Sequence, residues 1–123
     1  MKREEILSME AGPEMNALVA EKAMGESYPD RFAHPKWWSL RYDHIGHEIW
    51  VAMPFSENIA AAWEVVEKLR EENIAILITT MGPRHEVMSN TIINQINGPA
   101  CWAETAPLAI CRAALLAMLE ESS

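Results

Sequence analysis

Between Ser56 and Thr80 the chain passes from its clearest helical period to its clearest strand with only a turn between them. Ala62, Trp63, Val66 and Leu69 recur at helical spacing, while Glu57, Glu64, Glu67, Lys68 and Arg70 fall on the other side. Ser56 is therefore expected to cap an amphipathic helix that buries Trp63. Asn73 closes that helix, and IAILITT from Ile74 to Thr80 reads as a well-buried strand.

The same short joining recurs along the chain. Met1 to Ala11 reads as a helical turn or two, and Gly12-Pro13 starts a second helix with Pro13 at its first position. Met15, Leu18, Val19 and Met24 give that helix an apolar face, and Gly25 is its natural stop. Glu26 to Pro35 has no period and reads as a loop. Trp37 to Tyr42 and His47 to Met53 flank Asp43-His44-Ile45-Gly46, the composition of a hairpin. Gly82-Pro83-Arg84-His85 is read as a turn before a strand from Glu86 to Asn94, and Asn97-Gly98-Pro99 as a turn before a short strand, Ala100 to Ala103. Thr105 is the expected N-cap of a helix from Ala106 to Glu120. Helices and strands in this order, joined by short turns, predict a single α+β domain over residues 1–123. Its sheet is antiparallel or mixed, with helices packed on it, and not a doubly wound parallel sheet.

Composition narrows the function. A net charge of −8 leaves no basic stripe for counterion release, which argues against a DNA or RNA polymer as partner. No apolar run approaches the roughly 20 residues that cross a bilayer, and Met1-Lys2-Arg3-Glu4-Glu5 lacks a signal-peptide layout, so no membrane partner and a cytosolic location are expected. Cys101 and Cys111 lie in apolar stretches and read as reduced core residues. The four histidines show no zinc-ligand spacing; His44 and His47 straddle the hairpin glycine.

No nucleophile elbow and no phosphate loop occurs, and the acidic residues fall on polar helix faces. No cofactor, no metal and no catalytic residue is therefore expected. More suggestive are polar residues in apolar places. Arg112 interrupts LAICRAALLAML, where it either snorkels to water or points at a phosphate or a partner chain. Arg84 and Arg112 are the only basic residues after Glu71. Arg84-His85 is either an exposed loop or an anion site. Asn90, Asn94, Gln95 and Asn97 form an amide cluster that suits strand ends and also suits the edge of a nucleobase. Five tryptophans exceed what one small core holds. The Trp37-Trp38 pair points to both faces of a strand, leaving one ring, taken here as Trp38, for stacking or for a subunit interface.

Three segments carry a family resemblance: EEILSMEAGPEMNALVAEKAMGE (Glu4 to Glu26), FSENIAAAWEVVEKLREE (Phe55 to Glu72) and AETAPLAICRAALLAMLE (Ala103 to Glu120). In order and pattern they resemble the three blocks of the phage ABA-sandwich domain proteins, whose name describes helices layered on a sheet. The long strand-rich middle is similar to the Thoeris anti-defence branch of that family. The resemblance implies a sponge in the cytoplasm of an infected bacterial host, one that holds a cyclic ADP-ribose-type immune signal without cleaving it. It further implies separate sites for cyclic oligonucleotides and assembly as a homo-oligomer, a dimer or a hexamer. Thr105 and Arg112 lie inside the matching blocks and would offer a helix N-terminus and a guanidinium to the ligand's phosphates. Trp38, Arg84, His85, Asn90 and Asn94 lie outside them and rest on chemical plausibility. The rival expectation is a protein-interaction module that inhibits a host protein; an enzyme that degrades the signal is the third.

Overall fold

A computed structural model of the chain describes residues 2–81, 86–93 and 96–121. The Ala- and Leu-rich segment forms α4 (Ala106–Glu121), which lies at the centre of the fold. From Leu108 to Ala117 every residue except Arg112 is buried. A helix apolar on all sides must be covered on all sides, and α4 is. The short α1 (Arg3–Ser8), α3 (Ile59–Glu71) and all strands of a three-stranded sheet pack on it. So does a π-helical turn at Val19–Ala23 that continues α2 (Pro13–Leu18).

That sheet consists of β3 (Ile74–Met81), β4 (Glu86–Ile93) and β5 (Ile96–Ala103), antiparallel throughout and in the order β3-β4-β5. A separate antiparallel ribbon is formed by β1 (Trp38–Tyr42) and β2 (Glu48–Ala52). Asp43 makes its turn: Oδ1 accepts from the N–H groups of Ile45 at 3.0 Å and His47 at 2.8 Å, and Gly46 takes a φ of 85°. The expected α+β class with helices on an antiparallel sheet is the one found.

Local differences have physical reasons. The second helix ends where Gly25 takes a φ of 75° and Glu26 N–H reaches back to the Ala20 carbonyl at 2.9 Å, as the sequence suggested. Its last turn is nevertheless π-helical, from Val19 to Ala23. The third helix is capped by Asn58 and not by Ser56; Asn58 Oδ1 accepts from Ala61 N–H at 3.1 Å. Ser56 is fully buried instead. Its Oγ donates to Asn16 Oδ1 at 2.6 Å and accepts from Gly12 N–H at 3.0 Å, and its own N–H bonds to the same Asn16 oxygen at 2.8 Å. Asn16 Nδ2 completes the network on Glu57 Oε2 at 3.0 Å.

Trp63 is not core. It is 53% exposed, because α3 turns Ala61, Ala62, Val65 and Leu69 inward. Two small side chains let α3 approach the Ala-rich α4 closely, and a helix that seats Ala62 rotates its neighbour outward by about 100°. The expected turn Asn97-Gly98-Pro99 lies within β5. The register runs Asn90↔Ala100 and then Ile92↔Asn97, so Gly98 and Pro99 together oppose Thr91. That is a β-bulge, and an edge strand is where proline is tolerated. The expected turn Gly82-Pro83-Arg84-His85 lies outside the described residues.

Candidate functional site

Arg112 is the one charged side chain that α4 carries between Ala106 and Leu119, and its guanidinium is held at two points. Nη1 donates to the Trp102 carbonyl at 2.8 Å, and Nη2 to the Met9 carbonyl at 2.9 Å. Nε is buried with no partner among the described residues. A planar fork with its donors fixed this way is a brace between the end of β5 and the segment after α1. Neither a freely snorkelling side chain nor an unengaged phosphate ligand describes it.

The brace forms the floor of a cleft of about 590 Å³ whose walls include Ser8, Glu10, Trp102, Glu104 and Thr105. Three chain segments build it: the end of α1, the end of β5 and the start of α4. Thr105 caps α4 as the sequence predicts, its Oγ1 accepting from Leu108 N–H at 3.4 Å while its carbonyl receives Ala109 N–H at 3.0 Å. Pro107 has no N–H, which leaves Ala106 as the first-turn donor without a partner among the described residues. Glu10 and Glu104 set two carboxylates against the single guanidinium. The lining thus offers hydroxyls, carboxylates, a guanidinium and a half-exposed indole, Trp102 at 47%. Those groups suit a ligand with a planar ring, hydroxyl donors and modest negative charge better than a bare anion.

The other expected site residues fall elsewhere. Trp38 is only 8% exposed; its Nε1 donates to the Glu26 carbonyl at 3.0 Å, and its ring meets Tyr28 edge-on at 5.4 Å between centroids. It is a core residue, so the stacking role expected of it is corrected. Glu26 explains the placement, since its carboxylate also accepts from the N–H groups of Lys36 and Trp37 at 3.0 and 2.7 Å and so locks the start of the ribbon. Trp37 packs on Phe55 beneath Lys36. Asn90 lies on the central strand, paired with Leu77 and Ala100. Arg84, His85 and Asn94 lie outside the described residues.

Trp102 was missed by sequence reasoning, although a signal existed. Cys101 and Ala103 face the core, and period-two alternation then turns Trp102 outward. Among the described residues no group of three or more His, Cys, Asp or Glu is placed to hold a metal ion, and Cys101 and Cys111 are both buried.

An antiparallel sheet and flanking helices closed around one buried helix, with a polar-walled cleft at that helix's start, define a small sandwich domain. The chain belongs to the phage ABA sandwich domain family, whose model matches residues 17–115 and so includes both Thr105 and Arg112. It is also similar to the crystal structure of a phage protein from Bacillus cereus ATCC 14579, with 26% identity and a TM-score of 0.63. That similarity covers 89% of this chain and 92% of the other. No curated protein matches the chain.

Proposed function

We propose that this protein is a non-catalytic phage sponge that sequesters a cyclic ADP-ribose-type signal in the cytoplasm of an infected bacterium, blocking Thoeris-type immunity. The observation that carries the reading is the cleft at the start of α4, where Thr105, Arg112 and Trp102 meet within the family's matched span. A sequestering site requires enclosure and complementary polar groups, and it requires no nucleophile, general acid or metal. Here an indole is available to a base, Glu10 and Glu104 to ribose hydroxyls, and Arg112 to a phosphate oxygen through its remaining N–H groups. Assembly of copies as a dimer or hexamer would enclose the open side, and cyclic oligonucleotides would occupy other sites.

Isothermal titration against cyclic ADP-ribose isomers tests this. Saturable binding near one ligand per site, with intact ligand recovered on heating, supports a sponge. Turnover of the signal, or no heat with any isomer, rejects it.

One observation favours a rival, a module that covers a host protein. The β1–β2 ribbon and the loops beside it expose Tyr28, Phe32, Leu40, Tyr42 and Ile45 together. Lysine substitutions at Tyr42 and Leu40 that abolish anti-defence activity while nucleotide binding persists would support that rival.

A further inference from the structure

The β1–β2 ribbon is supported less than the sheet. β2 leans on α2, while β1 packs chiefly on β2, and a two-stranded ribbon by itself is barely stable in water. Its two edges differ. Asp43 N–H donates to the His47 carbonyl at 2.9 Å and Met53 N–H to the Trp37 carbonyl at 2.8 Å, so the bonds across the ribbon fall on odd-numbered residues of β1. The N–H and C=O groups of Leu40 and Tyr42 therefore point away from β2, and none of them has a partner among the described residues. On the β2 side the matching position is filled, Trp50 N–H donating to Tyr28 Oη at 3.0 Å.

Side chains and charge decide what such an edge accepts. Period-two alternation puts Leu40 and Tyr42, 42% and 66% exposed, on one face and Arg41 on the other. The carboxylates nearby are turned to the backbone: Glu26 accepts from the N–H groups of Lys36 and Trp37, Asp30 from Phe32, and Asp43 from Ile45 and His47. The cations are turned outward. Arg31 lies 5.7 Å from the centre of the Phe32 ring, Lys36 lies 4.8 Å from that of Trp37, and Arg41 is exposed. None of the three forms an ion pair among the described residues, whereas Lys22, Lys68 and Arg70 each lie within 4.0 Å of a glutamate. In a chain with 18 acidic and 10 basic residues, three cations without carboxylates beside one open edge leave room for carboxylates from elsewhere.

We propose that β1 is a docking edge for an extended, acidic segment of another protein, which adds as a third strand of the ribbon. A backbone ladder is completed by another backbone, which favours a protein strand over a nucleic acid. The alternation along β1 dictates that of the partner. Residues opposite Leu40 and Tyr42 are apolar, and the residue opposite Arg41 is Asp or Glu. Screening limits repulsion from the chain's other carboxylates to about 8 Å at physiological salt, so a net charge of −8 does not forbid this local match. The edge belongs to the surface of the rival reading above, and its docking role stands whether or not the cleft holds a nucleotide.

Fluorescence anisotropy with a labelled peptide of alternating glutamate and leucine tests the docking. Saturable binding to the full chain is expected, weakening as salt rises and by roughly tenfold or more when serine replaces glutamate. Arg41→Glu should weaken it by roughly tenfold or more with circular dichroism unchanged. If that variant fails to fold, Arg31→Glu in the preceding loop carries the test. Arg70→Glu on α3 should bind as the parent protein does. N-methylation of the peptide's leucines or of its glutamates removes the N–H groups of one edge, and one set alone should abolish binding. No saturable binding, equal affinity for the serine peptide, or indifference to both N-methylated sets overturns the proposal. So does tighter binding of an oligothymidylate, which would make the ribbon a nucleic-acid surface, or a dimer dispersed by Arg41→Glu, which would give the edge to a second copy. Unchanged anti-defence activity in Arg41→Glu, with peptide binding lost, counts against host inhibition alone.

Discussion

Arg112 Nη2 donates to the carbonyl of Met9 at 2.9 Å, joining positions 103 residues apart in the chain. Together with the bond to Trp102 it fixes the relative positions of α1, β5 and α4, the three segments that wall the cleft.

Replacing Arg112 should therefore act on stability as well as on binding. Hydrogen bonds from a charged donor contribute roughly 1.5–3 kcal/mol each, and partial exposure of this side chain lowers their combined effect. Arg112→Ala is expected to lose about 2 kcal/mol in urea denaturation, with Arg112→Lys intermediate because an ammonium cannot span both carbonyls. Any nucleotide affinity should fall by roughly 30-fold or more. A variant that unfolds like the parent protein while losing ligand would make Arg112 a contact residue and not a brace.

Asn16 and Ser56 supply a second test of long-range wiring. Asn16→Ala leaves the buried Ser56 N–H without its acceptor and removes the preferred acceptor of its hydroxyl. Unmet buried donors cost about 1–3 kcal/mol, so this single change is expected to destabilise by about 2–3 kcal/mol. Ser56→Ala should cost less, since Asn16 keeps the backbone bond. A loss below about 0.5 kcal/mol for Asn16→Ala would show that water substitutes for the side chain.

The two aromatic residues Trp63 and Phe55 should differ sharply in how much stability their removal costs. Phe55 is fully buried beside Trp37, and Phe55→Ala is expected to cost about 3–5 kcal/mol. Trp63→Ala should change the stability of one chain by less than about 0.5 kcal/mol. Equal losses at both positions would contradict the orientation of α3.

Cys111 links stability to pH. Burial pushes its thiol well above the ordinary thiol range, so the folded protein retains a proton that the unfolded chain releases above about pH 8.5. Stability from this group is thus fully present below that pH and falls as pH rises beyond it, by at most about 1.4 kcal/mol per pH unit. Cys111→Ala should flatten the alkaline limb of a stability–pH curve. Mass spectrometry after iodoacetamide treatment at pH 8 should find Cys101 and Cys111 unmodified until denaturant is added.

Much of this fold was legible in the sequence because local periods carry it. The Ile74–Met81 strand, the Thr105 cap and the Gly25 stop are each set by residues within a few positions. What escaped was decided at a distance. Ser56 and Asn58 are both good capping residues, and the buried Asn16, 40 positions from Ser56, draws Ser56 away from the helix. The apolar stripe of α3 is wider than the surface covering it, so its period alone does not say that Ala62 faces in and Trp63 out. At the cleft, Thr105 and Arg112 were visible as residues, but the carbonyls that engage Arg112 were not, since any chain offers a carbonyl at every position.

The central position of α4 also governs the order of events as the protein is made. Helices α1 and α3, the π-helical turn at Val19–Ala23 and strands β3 to β5 all pack against residues 106–121, and until those emerge from the ribosome these upstream segments have nothing to close on. Strands β3 to β5 are then synthesised with their sheet's inner face bare, a condition that favours chaperone engagement and premature contact between nascent neighbours. Folding should occur as one late step, with the Arg112–Met9 bond among the late ones, since it closes a loop of 103 residues.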